Sequence, residues 1–257
     1  MNKNKTKFLA LSLCTVLAGC GGGGGGGGSA ANPSVSPLAA QGVYQGTTST
    51  GAAFETVVLD DGTYYTLAGS QAGSTFIVSD LLQGQGTSNG STFTSSDLRD
   101  FSYTGLTQAG TLSATVNPGV NIAGNLTEGG ATETFSGSAP ANSTYDYNAP
   151  ADLSTISGNW TLSSLQGAST AVTINTNGTF TGSSQGCSFN GTLTPRASGK
   201  NIFDVAVQFG PSPCVLANQS ASGIALSYLL ANTTTRQLLV AAVDPTRTDG
   251  TVLFGQR

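Results

Sequence analysis

The chain has 257 residues, with 9 lysines and arginines, 13 aspartates and glutamates and no histidine, for a formal net charge of −4. The absence of imidazole removes the commonest general base, the Ser-His-Asp and Cys-His constellations and every histidine metal site, so neither an enzyme nor a metal centre is expected. The few basic residues form no cluster, which excludes a nucleic-acid partner.

In chain order, Lys3, Lys5 and Lys7 precede an apolar stretch from Phe8 to Leu17, followed by Ala18, Gly19 and Cys20. Basic, apolar and small-residue regions in that order make residues 1–19 a removable export signal. About ten apolar residues reach roughly 15 Å as a helix, half of a ~30 Å hydrocarbon core, so this segment is too short to be a membrane span. Leu17-Ala18-Gly19-Cys20 resembles the lipobox of bacterial lipoproteins. The resemblance implies cleavage before Cys20 and lipidation of its thiol, which makes the membrane a partner reached through acyl chains. In that family an aspartate after the cysteine favours inner-membrane retention; Gly21 stands there, so the resemblance points to the outer membrane. Several acyl chains, at about 0.8 kcal/mol per buried CH₂, would make such anchoring permanent.

Residues 20–40 read as the lipidated, flexible tether, because Gly21 to Gly28 is glycine without interruption and little up to Ala40 can pack. No strand precedes the glycine run and no helix with a lysine follows it, so it is not a phosphate-binding loop. Beyond Ala40, short runs rich in Val, Ile, Thr, Phe and Tyr alternate with Gly, Asn and Asp turns, the pattern of an all-β sandwich or barrel. Strict alternation marks Leu112–Val116, Val120–Leu126 and Ile202–Phe209 as strands. Ile224–Leu230 and Leu238–Val243 are continuously apolar and should be buried on both faces or at a tight barrel interior. Ser95–Phe101, the one locally charged stretch, is expected to be a capped one-turn helical connection.

The chain repeats itself at an offset of 116 residues: Gly42-Val43-Tyr44 answers Gly158-Asn159-Trp160, and Asp61-Gly62-Thr63-Tyr64 answers Asn177-Gly178-Thr179-Phe180. The second pair predicts hairpins with tight primed turns, glycine supplying the positive φ. The body therefore divides into two tandem small antiparallel β-barrel or sandwich modules, residues 41–147 and 148–257. They should be separable cooperative units split near Asn148-Ala149-Pro150. Gly158-Asn159-Trp160 also resembles the Gly-x-Trp opening of lipocalin-like barrels, although modules this short suit a closed barrel or partly open sandwich better than a cup. Trp160 is then a core plug. Lipobox, poly-glycine tether and small β modules together are similar to Gram-negative surface lipoproteins, which include captors of host factors and of transferrin-type iron proteins. No binding residue can be carried over from them.

Two cysteines remain in the body, Cys187 and Cys214. Export into an oxidising compartment makes them one disulfide, closing 26 intervening residues for about 3.5 kcal/mol on the chain-entropy model. Asp60 with Asp61, Asp97 with Asp100 and Glu128 with Glu133 are the nearest carboxylate pairs, and they read as turn or solvated-face residues rather than a glycosidic acid and base. Tyr44, Tyr64, Tyr65, Tyr103, Tyr145 and Tyr147 concentrate in the first module and the seam, a residue type enriched at interfaces. These features predict a membrane-anchored envelope lipoprotein with a non-catalytic binding or interaction body and no cofactor. The alternatives are a carrier of a small apolar ligand inside one barrel and a structural envelope-assembly protein.

Overall fold

The computed structural model describes residues 40–72, 75–140 and 144–257. The export signal, the lipidation site Cys20 and the glycine tether lie outside these described residues. Strands β1 (Gly42–Thr48), β2 (Ala53–Val58), β3 (Thr63–Ala72), β4 (Thr75–Gln85), β5 (Thr87–Asn89), β6 (Thr92–Ser102), β7 (Thr107–Asn117), β8 (Asn121–Glu128) and β9 (Ala131–Ser138) build the first barrel. Its strands pair antiparallel; β1 returns to β9, and β4 meets β6 where Asp80–Gln83 face Arg99–Ser102. Eight strands thus close a ring, while β5 continues β4 past Gly86 and pairs with the start of β6.

After a 3-10 turn at Leu153–Thr155, the second barrel runs through β10 (Gly158–Ser164), β11 (Ser169–Ile174), β12 (Thr179–Ser184), β13 (Cys187–Pro195), β14 (Phe203–Phe209), β15 (Ser220–Leu229), β16 (Arg236–Val243) and β17 (Gly250–Gln256). These strands also close in sequence order, with Ser163 and Ser164 of β10 opposite Phe254 and Leu253 of β17. The body is all-β, built of tandem antiparallel barrels. Closure, rather than a partly open sandwich, leaves few ladder groups unpaired at sheet edges.

The 116-residue repeat is structural. Tyr44 donates its hydroxyl to Ala40 O at 3.3 Å and Trp160 donates Nε1–H to Ile156 O at 2.7 Å, each four residues back and each side chain buried. Trp160 is the plug of barrel two, with the Arg257 guanidinium 4.2 Å from its ring centroid. In the paired hairpins, Gly62 N–H donates to Leu59 O and Gly178 N–H to Asn175 O, with φ of 87° and 85° at the two glycines. The residues before each glycine keep negative φ, so these are type I turns followed by a left-handed glycine rather than the primed turns expected. The Asp61 and Asn177 side chains accept from the amides of Thr63 and Thr179, which holds that geometry.

Ser95–Phe101 is not helical. It lies within β6, where the register shifts between Ser95 and Leu98, and this bulge takes up the extra residues that gave the stretch its irregular pattern.

Tyr44, Val58, Tyr64, Phe93 and Leu98 fill barrel one; Ile156, Trp160, Phe180, Phe203 and Leu238 fill barrel two. Two further clusters belong to both barrels. Leu81 and Phe101 pack with Leu165, Val243, Val252 and Phe254, while Val57 and Leu59 pack with Ile202 and Ile224. This shared interface explains the continuously apolar strands: Ala225 and Leu238 face the barrel-two interior, and Ile224, Ala241 and Val243 face barrel one.

The seam between the modules is likewise held to its surroundings. Tyr145 donates to Asn201 O, Tyr147 to Val58 O at 3.4 Å, and Lys200 Nζ to Asn148 Oδ1 at 2.8 Å. Arg196 joins the barrels by pairing with Asp60, Asp61 and Asp204 at 2.6, 2.8 and 2.7 Å. Arg247 pairs with Asp97 at 2.6 Å and donates to Gln83 O at 2.8 Å. Modules with this much common core are not expected to be separable.

Candidate functional site

Strand alternation creates two faces from β2: Phe54, Thr56 and Val58 turn into barrel one, while Glu55 and Val57 turn out. Neighbouring strands present Val43, Tyr65, Leu67 and Val78 on the same outer wall. The facing wall comes from β15, β16 and β17, with Leu226, Tyr228, Leu239 and Val252 among its residues, and Tyr145 of the seam closes one side. Where the interface clusters stop touching, the walls leave a cleft of about 490 Å³. That volume lies within the ~300–1,000 Å³ usual for small-molecule pockets, as does the mostly apolar and aromatic lining.

Glu55 is the single charged side chain among the described residues lining this cleft. It is open to water within the cleft, yet protein on both sides desolvates its carboxylate and raises its pKa above the ordinary glutamate value. Tyr228 is pushed up as well, first by burial and then by the negative charge of Glu55. The Tyr145 and Tyr228 rings meet edge-on with centroids 6.3 Å apart.

A second cavity, about 170 Å³, lies inside barrel one beside Tyr64, Leu98, Leu126 and Phe135. Asp80, Asp100, Glu128 and Glu133 also line it. Asp100 Oδ1 and Glu128 Oε1 are buried without a hydrogen-bond partner. Burial, followed by the charge of Asp80, pushes both carboxyls up to about 7; Glu128 adds to the shift of Asp100, and Glu133 to that of Glu128. Burial also works against Glu133, but hydrogen bonds from Thr48 and Thr50 outweigh it and hold that carboxyl below the usual range.

A carboxyl whose pKa is higher in the folded state than in the unfolded one binds more protons when folded. Stability from Asp100 and Glu128 is therefore complete below about pH 4 and is lost as pH rises to about 7. The melting temperature should be higher at pH 5 than at pH 8, and Asp100→Asn with Glu128→Gln should flatten that difference. A profile in which stability rises from pH 5 to 8 would contradict it.

Of the other residues singled out from the sequence, Cys187 and Cys214 are bonded, with Cα atoms 4.5 Å apart. The turn or solvated-face reading of the carboxylate pairs holds for Asp60 and Asp61 but not for Asp100, Glu128 and Glu133, and Glu128 and Glu133 line one cavity together. Asp60 and Asp61 hold Arg196, Asp97 holds Arg247, and Asp100, Glu128 and Glu133 gather inside barrel one. Tyr44 and Tyr64 are core residues, Tyr65, Tyr145 and Tyr147 lie at the inter-barrel interface, and Tyr103 is 55% exposed. Among the described residues, no three His, Cys, Asp or Glu side chains are grouped to hold a metal. Sequence reasoning missed Glu55 and Tyr228. The available signal was a lone charge between β-formers with no turn residue beside it.

No protein-family model matches the chain, and no curated protein matches it. Among solved structures, it is similar to isotype 1 transferrin binding protein B from serogroup B Neisseria meningitidis, at 9% identity and a TM-score of 0.25, covering 80% of this chain and 51% of that one. The chain thus spans about half the length of that protein. It is also similar to a protein of unknown function of the DUF3598 family from Nostoc punctiforme, at 12% identity and a TM-score of 0.27, covering 84% of this chain and 94% of that one.

Proposed function

We propose that this protein is an outer-membrane lipoprotein, anchored through Cys20, whose two-barrel body is a non-catalytic binding module with its site in the cleft between the barrels. The observation that supports this most is the 490 Å³ cleft itself, a largely apolar space with aromatic walls and one carboxylate. The site is placed between the barrels rather than within one, because barrel two is filled around Trp160 and the smaller cavity of barrel one is lined by four carboxylates.

A neutral apolar dye such as Nile red should bind the full chain carrying Cys20→Ser, which needs no detergent, with a stoichiometry of one. Filling the cleft by Leu226→Trp should weaken that binding by about tenfold or more, since the dye loses both volume and apolar contact, with the fold retained by circular dichroism. Absence of dye binding, or binding indifferent to Leu226→Trp, would refute the reading.

A further inference from the structure

The lining of the cleft says more about its ligand than its size does. Glu55 is the one charge among the described residues that line the cleft, it extends from the outer face of β2, and no hydrogen bond or ion pair to another described residue neutralises it. Among the described residues no lysine or arginine lines the cleft, so an anionic ligand would meet a like charge with nothing there to offset it. Tyr65, Phe76, Tyr145 and Tyr228 surround the same space, and π faces attract organic cations as the carboxylate does. The rest of the lining is aliphatic, from Val43, Leu67, Leu226 and Leu239 among others, and suits a hydrocarbon body.

From this juxtaposition we infer that the cleft takes a small organic cation, an amine or quaternary ammonium carrying an apolar chain or ring system, with its cationic head at Glu55 and its apolar part along the β15–β16 wall. The inference rests on the cleft being the binding site and adds its ligand class. Partial desolvation between the walls strengthens the pairing relative to one on an open surface.

The test is displacement of Nile red from the full chain with Cys20→Ser by decyltrimethylammonium, decanol and decanoate, three ligands of matched chain length, each below its micellar concentration. Decyltrimethylammonium should compete at least about tenfold better than decanol, and decanoate worst of all. Glu55→Gln should bring the ammonium and the alcohol to within about twofold of each other, a loss of roughly 1 kcal/mol of discrimination, while leaving decanol unchanged. Glu55→Lys should invert the order in favour of decanoate. If Nile red fails to bind, the cleft is not a site and both readings fall. If it binds and the three ligands displace it equally, or Glu55→Gln keeps the preference for the cation, the cation assignment alone is overturned.

Discussion

Replacing Phe101 with alanine should cost about 3–5 kcal/mol and turn one unfolding transition into two. Phe101 lies on the outer face of β6, is 2% exposed, and packs with Leu81 of its own barrel and with Leu165, Val243, Val252 and Phe254 of the other. Gly250 of β17 lies directly against the ring, where an added Cβ would come within 2.7 Å of it. Truncation would therefore open a cavity in the larger of the two clusters where each barrel's outer wall serves as core for the other.

Trp160, the single tryptophan of the chain, reports on barrel two, while far-UV circular dichroism reports on both. In the unsubstituted protein the two signals should change together during urea unfolding, the signature of one cooperative unit. In Phe101→Ala they should separate. Two resolved transitions before any substitution would show instead that the ion pairs of Arg196 and Arg247 and the shared clusters couple the barrels too weakly to matter.

Reduction of the Cys187–Cys214 bridge should destabilise the protein by about 3.5 kcal/mol, the chain-entropy value for a closed loop of this length. For a body of this size that corresponds to a fall in melting temperature of roughly 7–14 °C. The bridge ties the start of β13 to the loop between β14 and β15, and Gly210 N–H already donates to Ser188 O at 2.8 Å beside it. All the groups it holds belong to barrel two. In the Phe101→Ala background, reduction should therefore shift the Trp160 transition and leave the other in place. A free-thiol assay on oxidised, unfolded protein that found two reactive thiols in the body would remove the basis for this expectation.

Much of the architecture was legible because it rests on local rules. Alternating apolar residues at Ile202–Phe209, Leu112–Val116 and Val120–Leu126 mark strands whose inward residues Phe203, Val205, Leu112, Ala114, Val116, Ile122 and Leu126 do form the barrel cores, since a strand's two faces are set by its own sequence. Val120, however, lies in the turn before β8 and is exposed, and Ile202, just before β14, packs between the barrels. The repeat identified Tyr44 with Trp160 and Gly62 with Gly178, and each pair keeps one geometry. The turn type was misjudged because an Asp-Gly or Asn-Gly pair suits both a primed turn and a type I turn ending in a left-handed glycine. The backbone φ before the glycine and the residues spanned by the closing hydrogen bonds distinguish them, and neither is read from the pair itself. Ser95–Phe101 was misread for a related reason, as a bulge breaks the period of two without supplying a period of 3.6.

By itself, the sequence determined the β class, the tandem repeat, the Trp160 plug and the cysteine pairing, along with the exclusion of histidine chemistry. All of these follow from composition, from local periodicity or from a pair with no rival partner. Tertiary structure alone decided what the outward faces do. Glu55 is unremarkable in β2 and Tyr228 unremarkable in β15, and the apolar outer residues of β15 and β16 read as buried without revealing by what. They become an interface and a cleft only when two closed barrels pack wall against wall. The surface that gives each residue its role lies in the other barrel, and no local pattern records which walls will meet.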